Sequence, residues 1–558
     1  MKSWTNRNRQ SGLIFVKLGL IGTLSIVGRG ECMSEQGLFF AKKKYIPVPL
    51  PSFSETRDKL PSPIFDEDPN YVKCYWKAWE LAFKNFHGPT PESGFVSQFI
   101  DAAFNQNIFL WDTCFMTMFC NYAHPYVPGI RSLDNFYAKQ HIDGEICREI
   151  NRTTGKDFEP WVNKEDEPLF SRWGYAWAED RRKTKVVYRE RAVPKPNPRL
   201  TLDALNHPIF AWAELESYRL TGDKVRLRLV WEPLVQYYAA LKKYLRQGNG
   251  LYITDSASMD NATRNKYLEA GGMGIDISSE MVLFARHLAE IGQVLGRKEQ
   301  AAQYRRDAER LSELINEHMW DGKREFYFDL TLQGKRASVK SIAAFWTLLA
   351  GVASESQAAA LVAQLENRAT FKTAHRVPTL AADEQGFSPK GGYWNGAIWA
   401  PTEMMVIRGL ECYGYSKLAR EIAQNHLHNV IEVYKQTGTL WENYAPQSTA
   451  PGKPAKGDFV GWTGIGPIAL FIEYEVGVRA NAIDNEITWN IKSSKRLGIE
   501  NFWFGGKTVS LLCEELNSKG YRLVKVKSTG TFRLRIRLNG KVEDIEVPAG
   551  EPIQVTIK

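Results

Sequence analysis

The sequence predicts a mainly α fold, a ring of paired helices followed by a small antiparallel β domain, and three observations predict it. Between about residues 100 and 479, apolar positions recur at helical spacing, and the helical segments come in pairs joined by glycine-containing turns. Beyond about Ala480 the apolar period falls to two. The length, 558 residues, is too great for one small domain but suits a large helical toroid with an appendage.

Taken in order, residues 1–33 read as a signal or targeting segment, because Arg7 and Arg9 precede an apolar run over 12–28. Lys17 interrupts that run, no small-x-small cleavage site follows, and the residues before Cys32 make a poor lipobox. The expectation is an exported, periplasmic or cell-surface protein, and a cytoplasmic one if Met33 is the true start. Residues 34–69, rich in proline and lysine, read as an extended arm, with Asp66-Glu-Asp68 a solvated turn before a helix. The helical domain spans 70–479. Its first helix is expected over 70–85, and helix pairs over 208–220 with 224–244, 278–296 with 298–319, and 397–410 with 416–436. The pairs are not close repeats, so a consensus solenoid is excluded. Each offers one apolar face, and such pairs can close around a central cavity. Residues 480–558 form the β domain, with turns at Gly505-Gly506, 528–530 and Asn539-Gly540.

Composition narrows the function. A net charge of +9 over 558 residues does not signal nucleic acid. The basic run 181–191 reads as a solvated loop or as a rim that attracts an acidic glycan. Seven scattered cysteines with no CxxC pair argue against a zinc site or a disulfide framework, and Cys114 and Cys120 read as small hydrophobes. No stretch after the N-terminal segment is long and apolar enough to span a bilayer. Seventeen tryptophans is a high count, and Trp111, Trp394, Trp399, Trp441 and Trp462 fall in polar, glycine-containing stretches. They fill the core, or several of them line a sugar cavity, where flat sugar faces stack on indole.

The stretch 251–264 has neither helical nor strand periodicity, and it carries Asp255 and Asp260 among small residues, with Asn261 and Arg264 behind. Acids on a loop held by a rigid scaffold are candidates for chemistry. Glycosidic cleavage needs a protonated acid at the leaving oxygen and a second carboxylate acting on water or on the sugar. His426-Leu-His428 does not read as a metal pair, because that spacing on a helix makes the two rings diverge. No nucleophile elbow, phosphate loop or dinucleotide fingerprint occurs, so neither metal nor cofactor is expected.

Six motifs stand in one order: W-D-x-x-F at 111–115, Q-x-x-D-G-x-I-x-R at 140–148, S-M-D-N-x-x-R at 258–264, Y-W-x-G-x-I-W at 393–399, E-N-Y at 442–444 and G-W-T-G at 461–464. This order resembles the trehalase-like (α/α)6-toroid glycosidases, which include family 37 trehalases, family 63 α-glucosidases and mannosylglycerate hydrolases. The resemblance covers about residues 70–478. It implies an inverting, exo-acting glycoside hydrolase on an oligosaccharide or glycan, α-glucosidase-like, with Asp260 as general acid and Glu442 as general base. Inversion implies carboxylates about 6.5–9.5 Å apart. The resemblance also places Trp111, Asp112, Asp143, Arg148, Asn261, Arg264, Trp394, Trp399 and Trp462 around the sugar. Two positions depart from the pattern: Ser256-Ala-Ser258 replaces Glu-Ser-Gly, and Asn395 replaces a frequent arginine, which should change what the pocket binds. Alternative readings are a toroid enzyme on another bond (rhamnosidase, arabinosidase or uronic-acid lyase) and an inactive glycan-binding protein.

Overall fold

In the computed structural model the described residues are 43–141, 144–157, 207–254, 259–268, 272–518 and 520–557. The readings placed on 1–33, on the basic run 181–191, on Asp143 and on Asp255 lie outside them.

Among the described residues ten helices carry the ring: α1 (Pro69–Lys84), α2 (Leu110–Cys120), α3 (Phe210–Thr221), α4 (Lys224–Leu245), α5 (Ile275–Val294), α6 (Lys298–His318), α7 (Trp346–Leu349), α8 (Glu355–Glu366), α9 (Ala400–Cys412) and α10 (Ser416–Thr437). A 3-10 turn, Gly461–Ile465, runs on into a π-helix, Gly466–Val476. The sequence sorts them into two layers. Every side chain of α2 is buried, as are nearly all of those of α3 and α9, whereas α6 buries only a stripe of Ala301, Ala308, Leu311, Leu314 and Ile315. A helix apolar all round belongs inside a protein, and one with a single apolar stripe belongs at the surface. The inner layer is α2, α3, α5, α7, α9 and the 461–476 segment. Each packs against the next, and the 461–465 turn packs back on α2, so six inner elements close a ring. The outer helices α4, α6 and α10 run along its outside, and α1 packs against α10 and the π-helix.

Local chemistry sets the helix ends. Asp68 caps α1 by accepting from the Asn70 N–H at 2.9 Å, so the acidic turn before that helix is its N-cap. Gly222 and Gly438, both left-handed, end α3 and α10.

The β domain is a sandwich. Strand β1 (Ser62–Phe65) comes from the N-terminal arm. The others are β2 (Val478–Asn481), β3 (Glu486–Ile491), β4 (Leu497–Phe504), β5 (Lys507–Cys513), β6 (Arg522–Ser528), β7 (Phe532–Leu538), β8 (Lys541–Val547) and β9 (Ile553–Ile557). One sheet has the order β1-β4-β5-β6-β9 and the other β8-β7-β3-β2. Alternate residues such as Ile487, Trp489 and Ile491 or Phe532, Leu534 and Ile536 point inward, and Phe504 meets Phe532 edge-on across the sheets. Two features differ from the sequence reading. Four residues of the arm pair with β4, because proline tolerates an edge position. One ladder, β3 with β7, is parallel, because the chain crosses to the other sheet between them. Among the described residues the cysteines are free thiols, and no helix is long and apolar enough to cross a membrane.

Candidate active site

Most of the predicted site residues stand next to the start of an inner helix, whereas Glu442 follows the end of the outer helix α10 and Arg148 precedes a short strand. Trp111 and Asp112 form the first turn of α2. Asp260 to Arg264 precede α5, Tyr393 to Trp399 lead into α9, and Trp462 lies in the turn that opens the last inner element.

Glu442 is the best-defined carboxylate. It lies beyond the Gly438 end of α10 and is 5 % exposed. Tyr393 Oη donates to its Oε1 at 2.9 Å and the Lys456 N–H donates to its Oε2 at 3.1 Å, while the Glu442 N–H bonds back to the Lys456 carbonyl at 2.9 Å. Burial pushes the Glu442 carboxyl up to about 7. The two hydrogen bonds pull the other way, and the charge of Asp260 adds to the rise. Tyr393 is held in the left-handed region at φ +62°, a strained conformation for a residue of its size, which aims its phenol at Glu442. Burial, then the facing Glu442 and Asp260, push that phenol well above its usual range, so it stays a donor.

Asp260 is partly exposed beside the fully buried Met259. Asn265 Nδ2 bonds the carbonyls of Met259 and Asp260 at 2.8 and 3.1 Å, which fixes the tight turn carrying the acid. Asn261 binds the facing loop twice, donating to the Gly392 carbonyl at 3.0 Å and accepting from the Trp394 N–H at 2.9 Å. Asn395 answers from the other side. Its Nδ2 donates to the Asn261 carbonyl at 2.9 Å, and its Oδ1 accepts from the N–H and the hydroxyl of Thr263 at 3.0 and 2.8 Å. Both ends of the Asn395 amide are therefore spent on clamping the two loops together.

Arg264 is likewise turned inward. It is completely buried, with Nε 2.8 Å from Asp329, Nη2 3.0 Å from Asp276 and Nη1 also paired with Asp276. Burial opposes its charge, yet the two aspartates raise its pKa further still, and it in turn holds Asp276 below the usual carboxylate range. Arg264 thus anchors the loop to α5 rather than meeting a ligand.

Four indoles form one cluster. Trp394 and Trp399 stack at 4.2 Å and 3°, and Trp462 lies 5.4 Å from both Trp399 and Trp111. Their exposure is 0–4 %, so the rings pack chiefly on one another. Trp462 Nε1 donates to the Glu442 carbonyl at 3.4 Å, tying the cluster to the carboxylate. Asp112 is buried next to Arg148, and among the described residues its Oδ1 has no hydrogen-bond partner. Burial pushes the Asp112 carboxyl well up, eased by Arg148 and reinforced by Glu149 and Glu442.

Three contributors escaped the sequence reading. Tyr393 stood inside a quoted motif without a role, and Lys456 acts only through its backbone. His207, bonded to Glu280, lies 4.2 Å centroid to centroid from Trp111.

A family model described as the mannosylglycerate hydrolase MGH1-like glycoside hydrolase domain matches residues 167–463. An uncharacterized protein of Borreliella burgdorferi is 28% identical over 359 residues, 62% of this chain and 75% of that one. Among solved structures, the GH63 mannosylglycerate hydrolase from Thermus thermophilus in complex with glucose superposes with a TM-score of 0.52 at 17% identity, over 72% of this chain and 99% of that chain. A GH78 family rhamnosidase of Bacillus sp. GL1 superposes at 0.54 with 14% identity, over 82% of this chain and 41% of that one. At these identities the two structures speak for the fold.

Proposed function

The chain belongs to the mannosylglycerate hydrolase MGH1-like glycoside hydrolase family and is a glycoside hydrolase, and we propose that it removes a terminal sugar from an oligosaccharide or glycan with inversion. Asp260 is the general acid and Glu442 the general base. The observation that carries this reading is the setting of Glu442: a buried carboxylate, held by Tyr393 and Lys456, whose proton affinity responds to the charge of Asp260. A buried carboxylate whose proton affinity is raised by a second acid suits one half of an acid and base pair.

In the reaction the Asp260 proton passes to the glycosidic oxygen as the bond from that oxygen to the anomeric carbon breaks. Water attacks that carbon from the opposite face and gives a proton to Glu442. One proton enters and one leaves, so the pair resets by exchanging a proton with solvent. The indole cluster walls the reacting sugar away from bulk water, and Asp112 and Arg148 bind its hydroxyls. Asn395 and Arg264 act through the loop by holding Asp260 in register. We also propose that the protein is exported, a reading that rests on the N-terminal apolar run.

The test is a screen of the purified protein against disaccharides and complex glycans, with proton NMR of the first sugar released. The expected product has the anomeric configuration opposite to the substrate, and retained configuration would sink the mechanism. Asp260→Asn and Glu442→Gln should each reduce turnover by about 10²–10⁴-fold or more with an unchanged circular dichroism spectrum.

A further inference from the structure

A second constellation lies in the wall between α9, α10 and the loop 370–380. His375 comes from that loop, Glu403 from the first turn of α9 and His426 from the middle of α10. Their exposures are 1 %, 0 % and 0 %. One nitrogen or oxygen from each lies within 4.8 Å of the other two. His426 converges on His375, across the fold, and not on His428, two residues along its own helix.

The bonds among these groups do not satisfy them. His375 Nε2 and His426 Nδ1 are 2.9 Å apart and can share one proton. Among the described residues neither oxygen of Glu403 has a hydrogen-bond partner, and neither does His426 Nε2. A buried carboxylate with both oxygens unmatched is unfavourable, because desolvation is not repaid by hydrogen bonds. Arg376 acts on Glu403 electrostatically, but its Nη2 donates to the Leu365 carbonyl at 3.1 Å and to Glu366 at 2.9 Å.

We propose that His375, Glu403 and His426 bind a divalent transition-metal ion of the zinc class. Such an ion would neutralise Glu403 and take the place of the shared imidazole proton. Two ligands at bond lengths of about 2.0–2.1 Å and the tetrahedral angle stand about 3.3 Å apart, so the two facing nitrogens, 2.9 Å apart, need to part by only about 0.4 Å. Two imidazoles and one carboxylate without sulfur suit Zn²⁺, Fe²⁺ or Ni²⁺ better than Ca²⁺ or Mg²⁺. All three ligands are fully buried, away from solvent, so the ion is a staple. It ties α9 to α10 and, through the His375 N–H on the Pro446 carbonyl at 2.9 Å, braces the segment that begins at Glu442.

This inference stands apart from the hydrolytic reading, and its test needs no substrate. Untagged full-length protein grown in zinc-replete medium should carry about one zinc per chain by elemental analysis. After chelation its thermal midpoint should fall, and Zn²⁺ alone should restore it. X-ray absorption at the zinc edge should give a nitrogen and oxygen shell with imidazole scattering. Glu403→Gln, close in volume, should bind Zn²⁺ about a hundredfold or more weaker by calorimetry and lose the thermal response. Wild-type protein with no bound metal and no response to Zn²⁺ would overturn the proposal. So would a shell containing sulfur, or tight one-to-one binding by the variant.

Discussion

Glu442 gathers the residue-scale physics of the site. Its carboxyl is raised to about 7 because burial disfavours the charge, and the Tyr393 phenol gives part of that back by donating to the ionised form. A general base works ionised, so activity should rise with pH through about 7 on the acidic limb of the profile. Tyr393→Phe deletes a donor to the carboxylate, which raises the Glu442 pKa again and moves that limb to higher pH by roughly one unit. The pH dependence of kcat/KM for the two proteins is the measurement, and an unmoved limb would detach Glu442 from the titration. The same burial makes ionised Glu442 a cost to the fold. The native state holds the proton more tightly than the unfolded chain, so the stability this group contributes below about 4.5 is withdrawn as pH climbs through about 7. The motif order named Glu442 and Asp260 as a pair, but not the tyrosine that tunes one of them. A phenol's use depends on a backbone twist at φ +62° that no local pattern announces.

The Asp260 loop owes its place to two devices of opposite kinds. One is the neutral clamp of Asn261, Thr263 and Asn395, which closes five hydrogen bonds between two loops. An asparagine where an arginine was the expected type therefore alters loop anchoring first. The other is ionic: Arg264 buried between Asp276 and Asp329. Removing a single member of such a group leaves the rest as uncompensated buried charge, so Arg264→Met should cost about 3–5 kcal/mol in chemical denaturation. Adding Asp276→Asn to that variant should recover part of the loss, whereas simple additivity would show that the three groups do not interact. Helices were largely legible from apolar spacing: the expected helices 224–244 and 298–319 differ from α4 and α6 by a residue or two at the ends. The ionic partner Asp329, 65 residues from Arg264, was not, because long-range pairing leaves no periodic trace.

At the scale of the whole molecule the two ends of the described chain hold each other. Strand β1 closes the edge of β4 on the C-terminal sandwich, and α1, three residues further on, packs against the π-helix that completes the inner ring. Phe65 sits at that join, 6 % exposed, with its ring 5.5 Å from Phe471 at 88° and 5.4 Å from Tyr71. Sequence periodicity separated the helical and β regions at about residue 480. It passed over β1, because Ser62-Pro63-Ile64-Phe65 is too short to show alternation and contains proline. The two parts also meet elsewhere, where the Ala482 N–H donates to the Arg219 carbonyl at 2.7 Å and the Gly505 N–H to the Leu220 carbonyl at 2.9 Å. Phe65→Ala removes a buried aromatic that touches both parts and should cost about 3–5 kcal/mol. For a chain in which ring and sandwich unfold as one unit, that loss appears as a lower midpoint of a single transition in calorimetry, with kcat unchanged below it. If the variant instead unfolds in two separate steps, sandwich first, then Phe65 is the principal coupling between the two parts. If neither midpoint nor step number changes, the join contributes nothing and the ring closes on its own.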